Sequence, residues 1–316
     1  MLDQLSVTSW LPSVFLAGNA AVLLVLQGQE GSLSFNGAIR TLIQMEWGAI
    51  IVLVMSVIIA AIAIQAFEFE GLRFWEGYLR SRVLNGWARI RIASFSKKRT
   101  RLEAKCDELA TAAFDDARRR ALDSSGISPA QVATFNALEK TFHGRPLDDS
   151  DRVALGGAAD LRWPRFASPS LMHDWDVAKL KLAEFPEHHR VLPTRLGNVM
   201  RASEDQVKLA PGEDLEGFMI RHVDELPPAM VAEHGAYRRR LEMYCGLIFV
   251  LAALAALSVA CLWGKTAEPG WRAAVPLAYV AAMWVAYKAA IASAIGFGQA
   301  VKEASLWLQK HTIPLP

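Results

Sequence analysis

The feature that most constrains this chain is a run of twenty residues, 48–67, without a charged side chain and rich in Ile, Val and Ala. At 1.5 Å per residue, a helix of that length crosses the hydrocarbon core of a bilayer, which is about 30 Å thick. Trp47 lies at one end and Phe67 with Phe69 at the other, as in the aromatic belts of membrane proteins. The run therefore predicts a membrane-spanning helix.

Three further apolar stretches are present. Residues 244–263 and 273–297 are long enough to span, and residues 11–26 are shorter and contain Pro12 and Asn19. This first stretch is expected either to cross fully or to form a re-entrant or interfacial helix. The ten residues at the start carry Asp3 as their charged side chain and lack the basic segment of a signal peptide, so we expect the stretch to be retained. The prediction is three or four membrane helices, paired at each end.

Basic residues indicate the orientation. A cluster follows the 48–67 span, and Arg238, Arg239 and Arg240 precede the next one, whereas the loops 27–46 and 264–272 contain no basic cluster. The cluster consists of Arg73, Arg80, Arg82, Arg89, Arg91, Lys97, Lys98, Arg99 and Arg101. Because Lys and Arg are enriched in cytoplasmic flanks, we expect the large central region to lie in the cytoplasm.

The first part of the central region, residues 68–124, has the pattern of a basic juxtamembrane helix that continues from the span. Its apolar residues recur at intervals of three and four, and the remaining positions are rich in arginine. Its candidate lipid-contact residues are Trp75, Arg80, Trp87, Lys97, Lys98 and Arg99, since aromatic rings suit the headgroup layer and cations suit anionic lipid. An ordinary basic flank without lipid specificity is the alternative.

Residues 125–243 are expected to form a helical cytoplasmic domain, followed by the C-terminal membrane helices and a short tail in 244–316. Ser128 followed by Pro129 predicts a helix start, because Ser can cap and Pro fits the first turn. A second helix is predicted over residues 173–184. Few runs alternate with a period of two, so little or no sheet is expected. The fold class is therefore all-α: a polytopic membrane protein with a helical domain inserted between its second and third spans.

The segment Leu192-Pro193-Thr194-Arg195-Leu196-Gly197-Asn198, followed by Arg201, Ala202, Glu204 and Asp205, resembles a motif of uncharacterised bacterial membrane proteins with paired spans at each end. The resemblance implies this topology and a bacterial inner membrane location, and it implies no activity. Physically, Pro193 stiffens a turn and Thr194 can cap a helix. Arg195, Asn198, Arg201 and Glu204 then recur every three residues as a polar strip. Such a strip could bind an anionic ligand or lock onto another helix.

Signs of enzymatic chemistry are weak. The cluster His173, Asp174, Asp176, Glu184, Glu187, His188 and His189 has metal-binding residue types but not the spacing of a zinc site. Phosphate-loop, dinucleotide and nucleophile-elbow motifs are absent from the sequence. Cys106, Cys245 and Cys261 lack metal-ligand spacing. We therefore expect no catalytic residues, metal or cofactor, and the net charge of +2 gives no reason to expect a nucleic-acid partner.

Two features of the C-terminal spans suggest function. Lys288 lies about nine residues, or about 13 Å, from the end of its span, and an ionisable group in a span is a candidate functional residue. It is expected either in a water-lined or interhelical position, or with its ammonium extended towards the interface. Small residues spaced by four, which permit close helix packing, occur at Ala252, Ala256 and Ala260 and at Ala292 and Gly296. They serve either packing within one subunit or self-association.

These features predict a homo-oligomeric membrane assembly, with a pore or gated channel controlled by the cytoplasmic domain as the leading hypothesis and Lys288 as the candidate pore residue. The alternative is a non-conducting scaffold or receptor that recruits a cytoplasmic protein. A membrane-anchored metal hydrolase using the histidine-rich cluster is the third hypothesis. The expected partners are membrane lipids and further copies of the chain.

Overall fold

The structure is a computed structural model that describes residues 7–28, 35–44, 46–78, 82–124, 126–207, 214–263 and 269–312. Every regular element in these ranges is helical, which confirms the all-α prediction. The α-helices are α1 (Val7–Gly28), α2 (Phe35–Ile43), α3 (Trp47–Glu76), α4 (Arg82–Asp123), α5 (Pro129–Phe142), α6 (Asp149–Leu155), α7 (Ala158–Leu161), α8 (Pro169–Leu182), α9 (Arg195–Val207), α10 (Leu215–Arg221), α11 (Pro228–Leu262) and α12 (Pro269–Thr312). Short 3-10 turns cover Trp163–Phe166 and His188–Arg190.

Three of the described helices are long and apolar enough to cross a membrane: Trp10–Gly28, Pro228–Leu262 and Gly270–His311. The apolar stretch 11–26 belongs to the first of them. The stretch 48–67 lies in α3, whose segment Trp47–Ala63 meets Asn36–Ile43 of α2 at an angle of 102°. If this bent pair is one span, the described chain has four candidate spans. The prediction of three or four spans agrees with this number of candidate spans in the described residues.

Contacts divide the chain into two compact units, Met1–Ile92 with Leu192–Pro316, and Ala93–Val191. The first unit is built around α11 and α12, which pack against each other. Leu241 and Ile248 of α11 are buried with Ile291 of α12, Leu72 of α3 and Leu196 of α9. Helices α3, α9, α11 and α12 therefore share one apolar core.

Helix α1 belongs to the same unit. It contacts both α11 and α3, and Leu23 is buried against Val250 and Leu254. The hydroxyl of Tyr279 donates a hydrogen bond of 3.0 Å to the side-chain oxygen of Asn19. A polar pair of this kind links helices where few other polar partners are available.

Helix α12 extends well beyond the length of a span. Its 44 residues correspond to about 66 Å of helix, roughly twice the thickness of a hydrocarbon core. In its C-terminal part Phe297 and Val301 are buried together with Leu215 and Met219 of α10. One helix therefore contains a candidate span and also packs against the shorter helix α10.

The second unit has an aromatic core. Phe114 of α4 stacks on Phe142 with ring centroids 4.5 Å apart, and Phe135, Trp163 and Phe166 surround the pair. Such rings bury large apolar areas and favour offset or edge-to-face packing.

Side-chain caps fix the helix starts of the second unit. Ser128 and Gln131 form the reciprocal capping box of α5, so the helix start predicted at Ser128 is confirmed. The predicted helix 173–184 corresponds to α8, which starts four residues earlier. The N–H of Ser168, the residue that precedes this helix, donates a hydrogen bond of 2.8 Å to the carboxylate of Asp116.

The prediction of one helix over residues 68–124 was wrong. Helix α3 ends at Glu76, and α4 begins at Arg82. Gly77 has φ 102°, a left-handed conformation that favours glycine, and its N–H donates to the carbonyl oxygens of Arg73 and Phe74. This is a glycine helix cap, and the apolar periodicity on both sides of Gly77 concealed it.

Candidate functional site

The motif at residues 192–198, called the docking segment below, lies against the end of α3. Pro193 contacts Gly77. The hydroxyl of Thr194 donates to the carbonyl oxygen of Glu76 at 2.8 Å and accepts from the N–H of Gly197 at 3.0 Å. A methyl group at position 197 would overlap the carbonyl oxygen of Glu76, so glycine is required for this approach. The docking segment thus satisfies a carbonyl at the helix end.

Asn198 holds the docking segment in shape. Its side chain is buried, and its amide oxygen accepts from the N–H of Leu192 at 2.8 Å. Its amide nitrogen donates to the carbonyl oxygens of Leu192 and Thr194 at 3.0 and 2.8 Å. These three bonds occupy the carboxamide within the segment.

Beyond the docking segment lies a charged cluster, defined here as Glu76, Arg201, Glu204, Glu216, Arg238 and Glu242. Arg201 pairs with Glu204 at 2.6 Å and also hydrogen-bonds the hydroxyl of Tyr78. Arg238 pairs with Glu216 at 2.5 Å and with Glu242 at 2.6 Å. The cluster therefore joins the end of α3 to α9, α10 and α11.

Within the charged cluster, Glu76 is the acid whose pKa departs most clearly from its ordinary value. It lies outside the candidate spans. Burial first, and then the nearby carboxylate of Glu204, raise the pKa of Glu76 from 4.5 to about 7, against the opposing charges of Arg201, Arg238 and Arg73. Strongly perturbed acids in a specific charged environment are typical of functional sites, although structural networks also perturb them.

The predicted polar strip is therefore divided in the structure. Asn198 points into the docking segment, whereas Arg201 and Glu204 form an ion pair in the charged cluster. Arg195 is half-buried at the first position of α9. Sequence reasoning missed Glu76, Glu216, Arg238 and Glu242. The four-residue spacing of Arg238 and Glu242 was a signal for one pair, and the others depend on tertiary packing.

The candidate lipid-contact residues occupy different environments. Trp75 is half-buried, and its ring lies 5.3 Å from Phe249 and 6.1 Å from Tyr287. Trp87 is exposed, with the guanidinium of Arg91 5.8 Å from its ring. Arg80 lies outside the described residues.

Lys97, Lys98 and Arg99 belong to the second unit. Lys97 and Lys98 are exposed, and the ammonium of Lys98 lies 5.9 Å from the ring of Phe185. Arg99 donates a 2.8 Å hydrogen bond to the carbonyl oxygen of Pro186 and pairs with Glu103 at 2.6 Å. Arg99 therefore takes part in packing within its own unit.

Lys288 lies on the exposed side of α12, with its ammonium 5.4 Å from the ring of Trp284. The neighbouring Tyr287 reaches the N–H of Leu196 at 3.4 Å and packs beside Trp75. Lys288 is thus level with the last turn of α3. Its position relative to the apolar layer stays a prediction with both alternatives.

The small residues also fall into two groups. Ala252, Ala256 and Ala260 of α11 are all exposed, whereas Gly296 of α12 is buried under the ring of Tyr237. A methyl group at Gly296 would overlap that ring. Ala292 is exposed. Packing within the subunit thus uses Gly296, and the alanine face of α11 remains open.

Among the described residues, no group of three or more His, Cys, Asp or Glu side chains is arranged to hold a metal ion. The apolar helices are consistent with an integral membrane protein. No protein-family model, no curated protein and no solved structure matches the chain.

Proposed function

We propose that this chain forms a homo-oligomeric integral membrane assembly whose membrane helices respond to the polar helices docked beneath them. The observation that carries the proposal is the charged cluster joined to the docking segment. Here the end of α3 is connected to α9 through the Thr194–Glu76 hydrogen bond and the contact of Arg201 with Tyr78, and α11 is connected to α10 through the ion pair of Arg238 with Glu216. A change in α9 would therefore act directly on α3, and a change in α10 would act directly on α11.

The buried or half-buried ion pairs support a connection that changes when α9 shifts, rather than one that serves only to stabilise the fold. Removing charges from water is costly, and apolar packing often stabilises a contact at least as well. Networks of paired charges also have alternative partners, because Arg201 and Arg238 each contact more than one group. An exchange of partners could therefore accompany a shift of α9.

Self-association is supported by the exposed alanine face of α11. In lipid there is little hydrophobic force between helices, so small residues that let backbones approach are typical of helix interfaces. The buried Gly296 fulfils this role within the subunit, while Ala252, Ala256 and Ala260 stay available. We assign this face to contact with a second copy.

The first test is the mass of the complex in nanodiscs. Ala256→Leu is expected to reduce the assembly to smaller species, because the larger side chain separates the two helices. Ala281→Leu, at an exposed position of α12, is the matched control and should leave the mass unchanged. A monomeric wild-type protein would contradict the proposal.

A gated pore is one form that such an assembly takes, and ion or dye flux from liposomes tests it. In a pore lined by α12, Lys288→Glu should change the flux or its ion preference, and Lys288→Ala should do so more weakly. Flux that is identical in both variants would remove Lys288 from the pore hypothesis.

A non-conducting scaffold or receptor is the second candidate. The exposed position of Lys288 beside Trp284, level with the end of α3, favours it, because a lysine at the boundary can reach lipid headgroups. This candidate predicts a defined oligomer that gives no flux. Robust flux from liposomes would contradict it.

A further inference from the structure

We infer that Arg91 of α4, Arg195 of α9 and Lys288 of α12, together called the basic face, bind the phosphate group of an anionic membrane lipid. All three residues belong to the first compact unit. The inference rests on the membrane location in the proposed function, but not on self-association or on a pore. It is argued from where the cations lie, from the sign of the charge around them and from the exposed apolar side chains beside them.

The three cations lie around the phenol group of Tyr287. Its hydroxyl accepts a hydrogen bond of 3.4 Å from the N–H of Leu196, the residue after Arg195. The charges of Arg195 and Arg91 both act on this phenol group. Lys288 directly follows Tyr287 in α12 and is exposed. Three helices therefore bring one cation each to the surroundings of one side chain.

The sign of the charge favours an anion. The segments that contain these cations, residues 77–102, 192–203 and 270–302, have no Asp or Glu. The acids of the charged cluster that form ion pairs do so with other arginines, Arg201 and Arg238. A surface to which several elements contribute one sign of charge attracts ligands of the opposite sign.

The exposed surface of α12 changes character at Lys288. Its large exposed apolar side chains before this point are Trp271, Leu277, Val280, Trp284 and Val285. Among the described residues of α12, the next one is Leu306. The ammonium of Lys288 lies 5.4 Å from the ring of Trp284. An apolar surface that ends at a tryptophan and a lysine is typical of the level where hydrocarbon meets lipid headgroups.

The first turns of α4 combine the same two kinds of side chain. Trp87 and Ile90 are 47% and 72% exposed, although both are apolar. They alternate with the exposed cations Arg89 and Arg91, and the guanidinium of Arg91 lies 5.8 Å from the ring of Trp87. Helices that lie at a membrane surface place apolar side chains among the headgroups and cations against their phosphates.

This mixture identifies a lipid as the anion. A free phosphate ion would contact the cations alone and leave Trp87, Ile90 and Trp284 exposed to water. An anionic phospholipid has a phosphate for the guanidinium and ammonium groups and hydrocarbon for the apolar side chains beside them. It therefore matches both parts of the surface.

The experiment counts the lipids that stay bound to the full chain. The protein is reconstituted into liposomes of equal amounts of phosphatidylcholine and phosphatidylglycerol and extracted in a mild detergent, and mass spectrometry measures each lipid retained per chain. The wild type should retain phosphatidylglycerol in preference to phosphatidylcholine. Equal retention of the two lipids would overturn the inference.

Lys288→Ala should lower this preference about fivefold, which is the effect typical of one cation near an anionic surface. Lys288→Arg keeps the charge and should keep the preference. The matched control is Lys310→Ala, which removes the same charge from an exposed position near the end of α12 and should change nothing. Equal losses in the two alanine variants would reduce the effect to net charge and contradict a site at Lys288.

Arg91→Ala tests whether the helices share one site. It should also lower the preference about fivefold, because its guanidinium binds the same phosphate. A wild-type preference in Arg91→Ala would overturn the basic face as a site formed by three helices.

Two further outcomes separate this inference from its alternatives. Inorganic phosphate, added at constant ionic strength, should not displace the retained phosphatidylglycerol; displacement would indicate a site for a soluble anion and overturn the assignment to lipid. A chain that fails to insert into the liposomes would contradict the proposed function itself. An inserted chain that retains the two lipids equally would contradict only the basic face.

Discussion

The two compact units use different contacts to fix their helices. In the first unit, two close helix contacts depend on glycine: Gly197 lies on the carbonyl of Glu76, and Gly296 lies under Tyr237. In the second unit, large rings such as Phe114 fill the core, and side chains cap the helix ends. The comparison teaches that the two glycine contacts of the first unit should be sensitive to added atoms, and the aromatic core of the second unit to removed ones.

The largest expected effect is at Phe114 in the aromatic core of the second unit. Phe114→Ala should destabilise this unit by about 3–5 kcal/mol, because the fully buried ring leaves a cavity. Hydrogen exchange of the full chain should show lost protection in peptides from 93–191. Leu180→Ala, at a position 70% exposed, is the control with little expected change. Equal losses of protection in the two variants would contradict the conclusion that the buried ring of Phe114 stabilises the second unit.

The second effect tests the sensitivity of the first unit to added atoms. Gly197→Ala should weaken the docking of α9 by about 2–3 kcal/mol, because the new methyl group overlaps the carbonyl of Glu76. Protection of peptides covering 192–201 reports it. Gly86→Ala, in α4 with no atom near the added methyl group, should be neutral or stabilising by up to about 1 kcal/mol. A wild-type level of protection in Gly197→Ala would show that the close contact is not required.

A smaller effect is expected at Asp116, whose carboxylate accepts a hydrogen bond from the N–H of Ser168, the residue that precedes α8. Asp116→Ala should destabilise that helix end by about 1 kcal/mol, as other lost caps do. Exchange of the amides at residues 168–172 measures it. The exposed Asp174, within α8, provides the control Asp174→Ala. If the two variants behave alike, the contact of Asp116 with Ser168 has no capping role.

The smallest expected effect is a difference between the two units in how their stability depends on pH. The N–H of Ser168, with Arg120, lowers the pKa of Asp116, and the hydroxyl of Ser150, the N–H of Asp151 and Lys140 lower that of Asp148.

Because these pKa values are lowered on folding, the stabilisation from both acids is present above their ordinary value of 3.8 and is lost as pH falls below it. The second unit should therefore lose protection in acid, while the contact at Glu76 loses it above about pH 7. Hydrogen exchange of the full chain, measured from acid pH to above pH 7, distinguishes the two responses. Protection that changes with pH in the same direction in both units would contradict the prediction.

Much of the architecture follows from local sequence signals. Apolar length predicted three candidate spans, whereas the stretch 48–67 qualifies only together with α2. Ser128 with Pro129 predicted the start of α5, because a helix cap acts within a few residues. The break at Gly77 had a local signal, a glycine after a periodic segment, but the apolar pattern on both sides outweighed it.

The candidate site was less accessible to sequence reasoning. The motif around Thr194 and Asn198 marked a polar segment with two open roles, an anionic ligand or another helix. Its contact with Glu76 joins residues 118 positions apart, and periodicity contains no information about such a partner. Likewise, the pairing of Arg238 with Glu216 depends on how α10 packs.

Helix α12 has a mechanical consequence. Beyond Pro276, α12 continues from its candidate span to the helices that pack on its C-terminal part. A long, stiff rod converts a small tilt near one end into a large sideways displacement at the other. A modest rearrangement among Leu215, Met219 and Phe297 near the C-terminal end of α12 would therefore change the tilt of its candidate span. The two ends of α12 are in this sense mechanically coupled.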